Sequence, residues 1–313
     1  MTQAHSDTAS RLGGLLRKDW LWCLAALMLG AGAASASPAG TESADAVIAP
    51  MHLGAMTVLP LQDATDAIPN DGKVFGFGIG SAAVAQVLAD AGLPQTSIPL
   101  SVNALLVRGR GRVMLFDTGL GMAHHGHLLD GMHRHGVLPG DVTDIFLTHS
   151  HGDHTGGLLD AMGELVFPNA VVHISAPEWH SMIADAQRDA PLVAALHDRV
   201  RLFTPGAVVV PGVRSVSLTG HTPGHVGYRI GSGGQSILDI GDLVHSSIVS
   251  LAKPDWALGF DKDQALGARM RRLTLARVAK TGELVFAPHF PYPGVGRIAE
   301  TGDHFAWQPQ ARN

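Results

Sequence analysis

Residues 147–157, LTHSHGDHTGG, place His149, His151, Asp153 and His154 within six positions, directly after an apolar run. A histidine-rich surface loop is the plain explanation. Half of a metal site is the sharper one, because imidazole and carboxylate groups crowded at the end of a hydrophobic segment can share a cation. The preceding stretch DVTDIFLTHS (141–150) reads as a short buried strand that ends on the motif. In an extended chain residues i and i+2 point to one side, so His149 and His151 can grip one ion together. Asp153 and His154 fall where the chain turns towards a helix, and face a second ion beside the first. Gly152, Gly156 and Gly157 would let the backbone turn tightly and come close to the site.

Three later segments offer the missing ligands. GHTPGH (220–225) puts His221 after a strand at a proline–glycine turn. LDIGDLVH (238–245) puts Asp242 after an apolar strand, where a carboxylate can bridge two ions, and FAPHFPYPG (286–294) puts His289 at the end of another. Loops that follow different strands converge in many sheet proteins. The chain's one cysteine, Cys23, lies in its first 36 residues, so a site built later in the chain uses nitrogen and oxygen donors alone. Such a set suits zinc, manganese, iron or cobalt.

On these residues the chain resembles the metallo-β-lactamase-fold hydrolase superfamily, with His-x-His-x-Asp-His followed in order by the later His, Asp and His. The stretches GDLVHSSIV and APHFPYPGVGRI resemble the methyl parathion hydrolase-like branch, which is related to quorum-quenching lactonases. The resemblance implies an αββα sandwich, two mixed β-sheets flanked by helices. It further implies one ion held by His149, His151 and His221, another by Asp153, His154 and His289, and Asp242 between them. Asp153 and Asp242 are then the catalytic carboxylates. Two divalent ions, zinc first, would activate a bridging hydroxide that cleaves an ester, lactone or phosphotriester. The thiolate-using β-lactamases need a cysteine that is missing here, and the tyrosine of the best-known lactonases is replaced near Asp242 by His245. A mononuclear iron oxygenase acting on a persulfide, or a non-catalytic metal-binding protein, are the alternatives.

Strands are expected near 56–63, 170–175, 207–218, 226–231 and 235–240, with a hairpin over 101–121 and a last strand at 282–290. Helices are expected at 127–136, from Gly156, over 176–200 and at 261–280. GFGIGS (76–81) has the look of a dinucleotide loop, but ends in serine without the strand–helix unit and distant acid such a loop requires, so it reads as a flexible loop. Among other side chains, Trp179, His245 and Phe290 are candidates to line the substrate pocket. Asp117 in FDTG and His225 are candidates to brace the ligands from behind. His124, His125, His127, His133 and His135 read as a solvated, helix-flanking surface.

The first 36 residues carry Arg11, Arg17 and Lys18, then the apolar run from Trp20 to Ala34 and a small-residue ending, Ala34-Ser35-Ala36. They read as a cleaved export signal, leaving 37–313 as a single domain that is periplasmic or secreted. A formal charge of −5 with no basic block excludes the footprint of a nucleic-acid binder. The expected partner is a small-molecule substrate, with no membrane association after cleavage and a homodimer left open. No Gly-x-Ser-x-Gly elbow is present, which argues against a serine hydrolase.

Overall fold

The computed structural model describes residues 49–311; the proposed export signal lies outside the described residues. Seven strands form the first sheet, in the order β1 (Met51–Leu53), β2 (Met56–Pro69), β3 (Ser97–Gly109), β4 (Arg112–Phe116), β5 (Asp144–Phe146), β6 (Val171–Ser175) and β7 (Val200–Phe203). β1 to β4 pair antiparallel, and β4 to β7 parallel. The second sheet holds β8 (Val208–Val210), β9 (Val213–Ser217), β10 (Val226–Ser232), β11 (Gln235–Asp239), β12 (Leu284–Phe286), β13 (Val295–Thr301) and β14 (His304–Pro309). Only β11 and β12 run parallel there. The helices are α1 (Ser81–Asp90), α2 (Leu128–Arg134), α3 (Gly152–Thr155), α4 (Ala176–Ala184), α5 (Ala186–Leu196), α6 (Val249–Ala252) and α7 (Gln264–Thr281).

Period-2 alternation sorts the apolar side chains into layers. Leu105, Val107, Met114 and Phe116 of the first sheet cluster with Val226, Tyr228, Ile230, Ile237 and Phe286 of the second, so the two sheets face each other across one core. Their neighbours Ala104, Leu106 and Leu115 point the other way, into a layer with Leu128, Met132, Trp179, Met182 and Leu196 from α2, α4 and α5. On the far side, Leu238 and Val285 pack with Leu275 and Val278 of α7. The result is helix–sheet–sheet–helix, the αββα sandwich. At the centre Phe116 stacks on Phe146 with ring centroids 4.7 Å apart, and Tyr228 meets both edge-on. The Tyr228 hydroxyl donates across the sandwich to the Leu147 carbonyl at 2.6 Å. That bond fastens the second sheet to the segment just ahead of the histidine motif.

Several expected elements are corrected. The strand at 282–290 ends at Phe286, and β13 and β14 follow it as an antiparallel hairpin. The segment 207–218 is two short strands rather than one. No helix begins at Gly156: the helical turn there, α3, comes earlier and ends at Thr155, and the next two residues are pressed against another loop. A Cβ on Gly156 would lie 2.3 Å from the Leu120 carbonyl oxygen, and one on Gly157 2.2 Å from that of Thr118. Gly152 has open space around it and serves no such approach. The GFGIGS segment leads straight into α1, a helix not expected there, after a turn closed by the amides of Ile79 and Gly80 donating to the Gly76 carbonyl. α7 matches its expected span closely. Asp263 caps its first turn by accepting from the Leu266 amide at 2.9 Å, and Gly282 ends it at φ 62°.

Candidate metal centre

Every candidate ligand sits on the segment that follows a strand. β5 gives way to 147–151, β9 to the loop carrying His221, β11 to the turn carrying Asp242, and β12 to the turn carrying His289. The two sheets deliver these segments to one edge of the sandwich. There seven side chains form two groups sharing Asp242: His149, His151, His221 and Asp242, and Asp153, His154, Asp242 and His289. Within each group the donor atoms lie within 4.8 Å of one another.

The distances are those of ligand atoms around a common centre. His221 Nε2 stands 3.2 Å from His149 Nε2, 2.9 Å from His151 Nδ1 and 3.2 Å from Asp242 Oδ2. On the other side His154 Nε2 and His289 Nε2 lie 3.0 and 2.9 Å from Asp242 Oδ1, and each is 3.6 Å from Asp153 Oδ2. Ligand atoms about 2.0–2.2 Å from a tetrahedral ion stand roughly 3.3–3.6 Å apart, so both groups fit a cation of that size. A second observation points the same way. His154 Nε2, His289 Nε2 and Asp242 Oδ1 are buried and make no hydrogen bond. Three orphaned polar atoms turned towards one point would be costly in a structure with nothing to bind them.

The electrostatics divide the rings. Burial, reinforced by the neighbouring His154, holds the His149 imidazole well below its ordinary range, and burial with nearby His221 takes His151 down to about 3. Both rings are neutral and offer lone pairs. Burial also opposes charge on His154, His221 and His289, but Asp242 acting together with Asp153 and Asp117 at His154, with Asp261 at His221 and with Asp153 at His289 outweighs it, raising His221 to about 9. Positive charge is thus favoured on both sides of Asp242. Burial pushes Asp242 itself up, yet His154 and His289 hold it well below the carboxylate range. Asp153 is held down in the same way by His154 against the effect of its own burial. Its side chain keeps 27% of its surface exposed, against 3% for Asp242, and gives the cluster its polar opening to solvent.

Behind the ligands, three of the rings are fixed through their other nitrogen. His154 Nδ1 donates to Asp117 Oδ2 at 2.7 Å, and Asp117 also accepts from the Thr148 amide and hydroxyl. His289 Nδ1 donates to the Ser101 carbonyl at 2.8 Å, and His221 Nδ1 lies 3.1 Å from Asp261 Oδ1. Asp261 is held in turn by Arg271, a fully buried guanidinium that also donates to the carbonyls of Leu243, Pro254 and Trp256. His225 is not among the grouped ligands: its Nδ1 donates to the Leu218 carbonyl, and its Nε2 accepts from the Asp242 amide at 3.0 Å. Burial takes that ring down to about 3, which suits an acceptor. Gly241, at φ 45°, passes so close that a Cβ would lie 2.6 Å from His225 Nε2.

The three pocket candidates part company. His245 lies at the centre, its Nε2 3.1 Å from Asp242 Oδ2, stacked on His289 and tilted against Phe260. Trp179 belongs instead to the packing between α4 and the first sheet. Phe290 is fully buried behind the second sheet, edge-on to Trp307 at 4.9 Å. The apolar area of both rings is taken up by the core, so neither lies among the grouped ligands. The surface histidines 124, 125, 127 and 133 are exposed and His135 half-buried; none joins a metal-compatible group among the described residues. Sequence reasoning missed Asp261, Arg271 and Glu178, each a charged residue in an ordinary helical or loop context. Only their burial marks them.

Comparison with known proteins agrees with this geometry. The family model described as the metallo-beta-lactamase superfamily matches residues 97–312. Among solved structures the chain is similar to AidC, a dizinc quorum-quenching lactonase in complex with a product, at 28% identity and a TM-score of 0.78, over 84% of this chain and 97% of that one. It is equally similar to the hydrolase AbOPH, at 27% identity and a TM-score of 0.78, over 86% and 99%. A curated relative, the uncharacterized protein YobT of Bacillus subtilis, is 25% identical over 51% of this chain and 70% of its own length.

Proposed function

The chain belongs to the metallo-beta-lactamase superfamily, and from that premise we propose that it is a hydrolase of esters, lactones or phosphotriesters that works with two divalent cations, zinc foremost. The observation that carries the reading is the pair of four-membered groups meeting at Asp242. The likeness to AidC, a dizinc enzyme, supports the choice of metal. A mononuclear oxygenase would leave Asp153, His154 and His289 without a purpose, whereas all three converge on the second group.

His149, His151 and His221 would hold one cation, Asp153, His154 and His289 the other, with one oxygen of Asp242 turned to each side. When bound, the pair would supply Lewis acidity towards the substrate oxygen and a water acidified towards neutrality. The chain's own residues do the rest. Asp117, Asp261 and the Ser101 carbonyl hold protons on the outward nitrogens of His154, His221 and His289, so that the inward nitrogens present lone pairs. The partly exposed carboxylate of Asp153 would steer a proton released at the centre towards solvent. Phe260, against His245, offers an apolar surface beside the site. No helix among the described residues is long and apolar enough to cross a membrane.

The test is a panel of chromogenic esters, lactones, organophosphates and cephalosporins assayed with defined metals. Turnover of one neutral ester-type class, lost on chelation and restored by zinc, manganese, iron or cobalt, is the expected result. Asp242→Ala and His221→Ala should abolish it and reduce bound metal. Full activity in the metal-stripped protein or in either variant refutes the reading.

A further inference from the structure

Glu178 is a buried carboxylate on α4 with no part in the chemistry described so far. Its Oε1 accepts from the amide and the hydroxyl of Ser150, at 2.9 and 2.7 Å. Its Oε2 accepts from the Thr222 hydroxyl at 2.7 Å and the Gly224 amide at 2.9 Å. Ser150 lies between His149 and His151, and Thr222 follows His221. One side chain therefore holds the residues adjacent to all three histidines of one group. Those histidines arrive on two loops from different sheets, 147–151 after β5 and 218–225 after β9, tied by a backbone bond from the Val226 amide to the Thr148 carbonyl at 3.0 Å, and Glu178 adds the side-chain link beside the ligands themselves.

The surroundings are built for this contact. Ser175, which caps α4 by accepting from the Glu178 amide at 3.2 Å, donates its own hydroxyl to the Gly224 carbonyl at 2.6 Å. α4 comes so close that a Cβ on Gly224 would lie 2.1 Å from the Glu178 nitrogen. Arg188 donates to the Ser150 hydroxyl at 3.1 Å, bringing a positive charge to the buried carboxylate.

We propose that Glu178 is the positioning residue of the His149/His151/His221 cation, locking together the two loops that carry its ligands; this rests on the two-cation reading above. Glutamine tests it well, because each carboxylate oxygen receives one backbone N–H that cannot rotate away. Whichever way the amide turns, its NH2 group meets one of those donors, and one loop is released at nearly constant volume.

The experiment is a zinc titration of chelator-stripped protein against a competing indicator, read alongside thermal stability. Wild type should take up two ions. E178Q should retain one with unchanged affinity and bind the other roughly 10- to 100-fold more weakly. His151→Ala removes the same ion, so E178Q/H151A should hold its remaining ion as tightly as H151A does. Asp144→Asn removes a buried carboxylate that holds Arg112, Thr143 and His173 elsewhere in the first sheet. It should lower the melting temperature and leave both ions bound. Should E178Q not fold, Thr222→Val carries the test with a roughly tenfold loss for the same ion. An E178Q (or in its place a T222V) that binds both ions like wild type, that weakens both alike, or that weakens the ion left in H151A overturns the role of Glu178. A wild-type chain that takes up fewer than two ions overturns the two-cation reading instead, before any variant is compared.

Discussion

Replacing Asp117 by asparagine changes one atom and should loosen one cation. Asp117 Oδ1 accepts from the Thr148 amide at 2.8 Å, while Oδ2 accepts from the Thr148 hydroxyl and from His154 Nδ1, both at 2.7 Å. If the new NH2 takes the Oδ1 position it faces a backbone N–H that cannot turn away. A buried clash of that kind costs about 1–3 kcal/mol of stability. If it takes the Oδ2 position it donates to His154 Nδ1, and the ring proton moves to Nε2, the atom that faces Asp242. The ligand lone pair is then lost. Outer partners of metal-bound histidines are worth 10- to 100-fold in affinity, or about 1.4–2.7 kcal/mol. Asp117→Asn should therefore weaken the Asp153/His154/His289 ion by roughly that factor, while the His149/His151/His221 ion stays near its wild-type affinity. Competition between the protein and a zinc-binding indicator measures both. Unchanged affinity for both ions would show that the Asp117–His154 hydrogen bond does not control the ligand's tautomer, and the reasoning would fail.

Four further outcomes follow from the same contacts. Arg271→Met should destabilise the fold by about 3–5 kcal/mol in urea unfolding, because it leaves Asp261 as a buried charge without its guanidinium partner. Tyr228→Phe strands the Leu147 carbonyl and should lower stability by about 1–2 kcal/mol, with the midpoint of denaturation as the readout. Gly156→Ala should impair folding, as its Cβ would overlap the Leu120 carbonyl, whereas Gly152→Ala, with open space around it, should be tolerated; the yield of soluble protein and its melting temperature separate the two. Burial pushes the Asp144 carboxyl up, but hydrogen bonds from His173, Thr143 and Arg112 outweigh it and bring it down to about 2. That depressed carboxyl adds stability above the ordinary carboxylate range, and the gain is lost as pH falls from about 4 towards 2. Chelator-stripped wild type should accordingly lose more stability over this interval than Asp144→Asn, and parallel curves would refute the assignment.

The donor set was readable from the chain because each ligand is announced locally. His149, His151, Asp153 and His154 are neighbours, and His221, Asp242 and His289 each end an apolar strand. The outward braces are less visible. Asp117 and His225 stand within recognisable turns, but Asp261 is separated from His221 by 40 positions and Glu178 from Thr222 by 44. No pattern within a helix or loop says that such a residue will be buried facing another segment. The errors have the same origin. Phe290 adjoins His289 and Trp179 lies on the helix that follows β6, yet packing turns both into the core.

Residue order alone specifies the chemistry available: nitrogen and oxygen ligands without thiolate, placed after strands whose alternating apolar residues demand a two-sheet core. Local covalent spacing and side-chain type are enough for that. Folding in three dimensions sets which oxygen of Asp242 faces which histidines, which nitrogens of His154, His221 and His289 are tied down, and that one carboxylate on α4 spans two ligand loops. Those choices depend on burial and on contacts between segments far apart in the chain, where the cost of an unpaired polar atom, rather than any local preference, selects the arrangement.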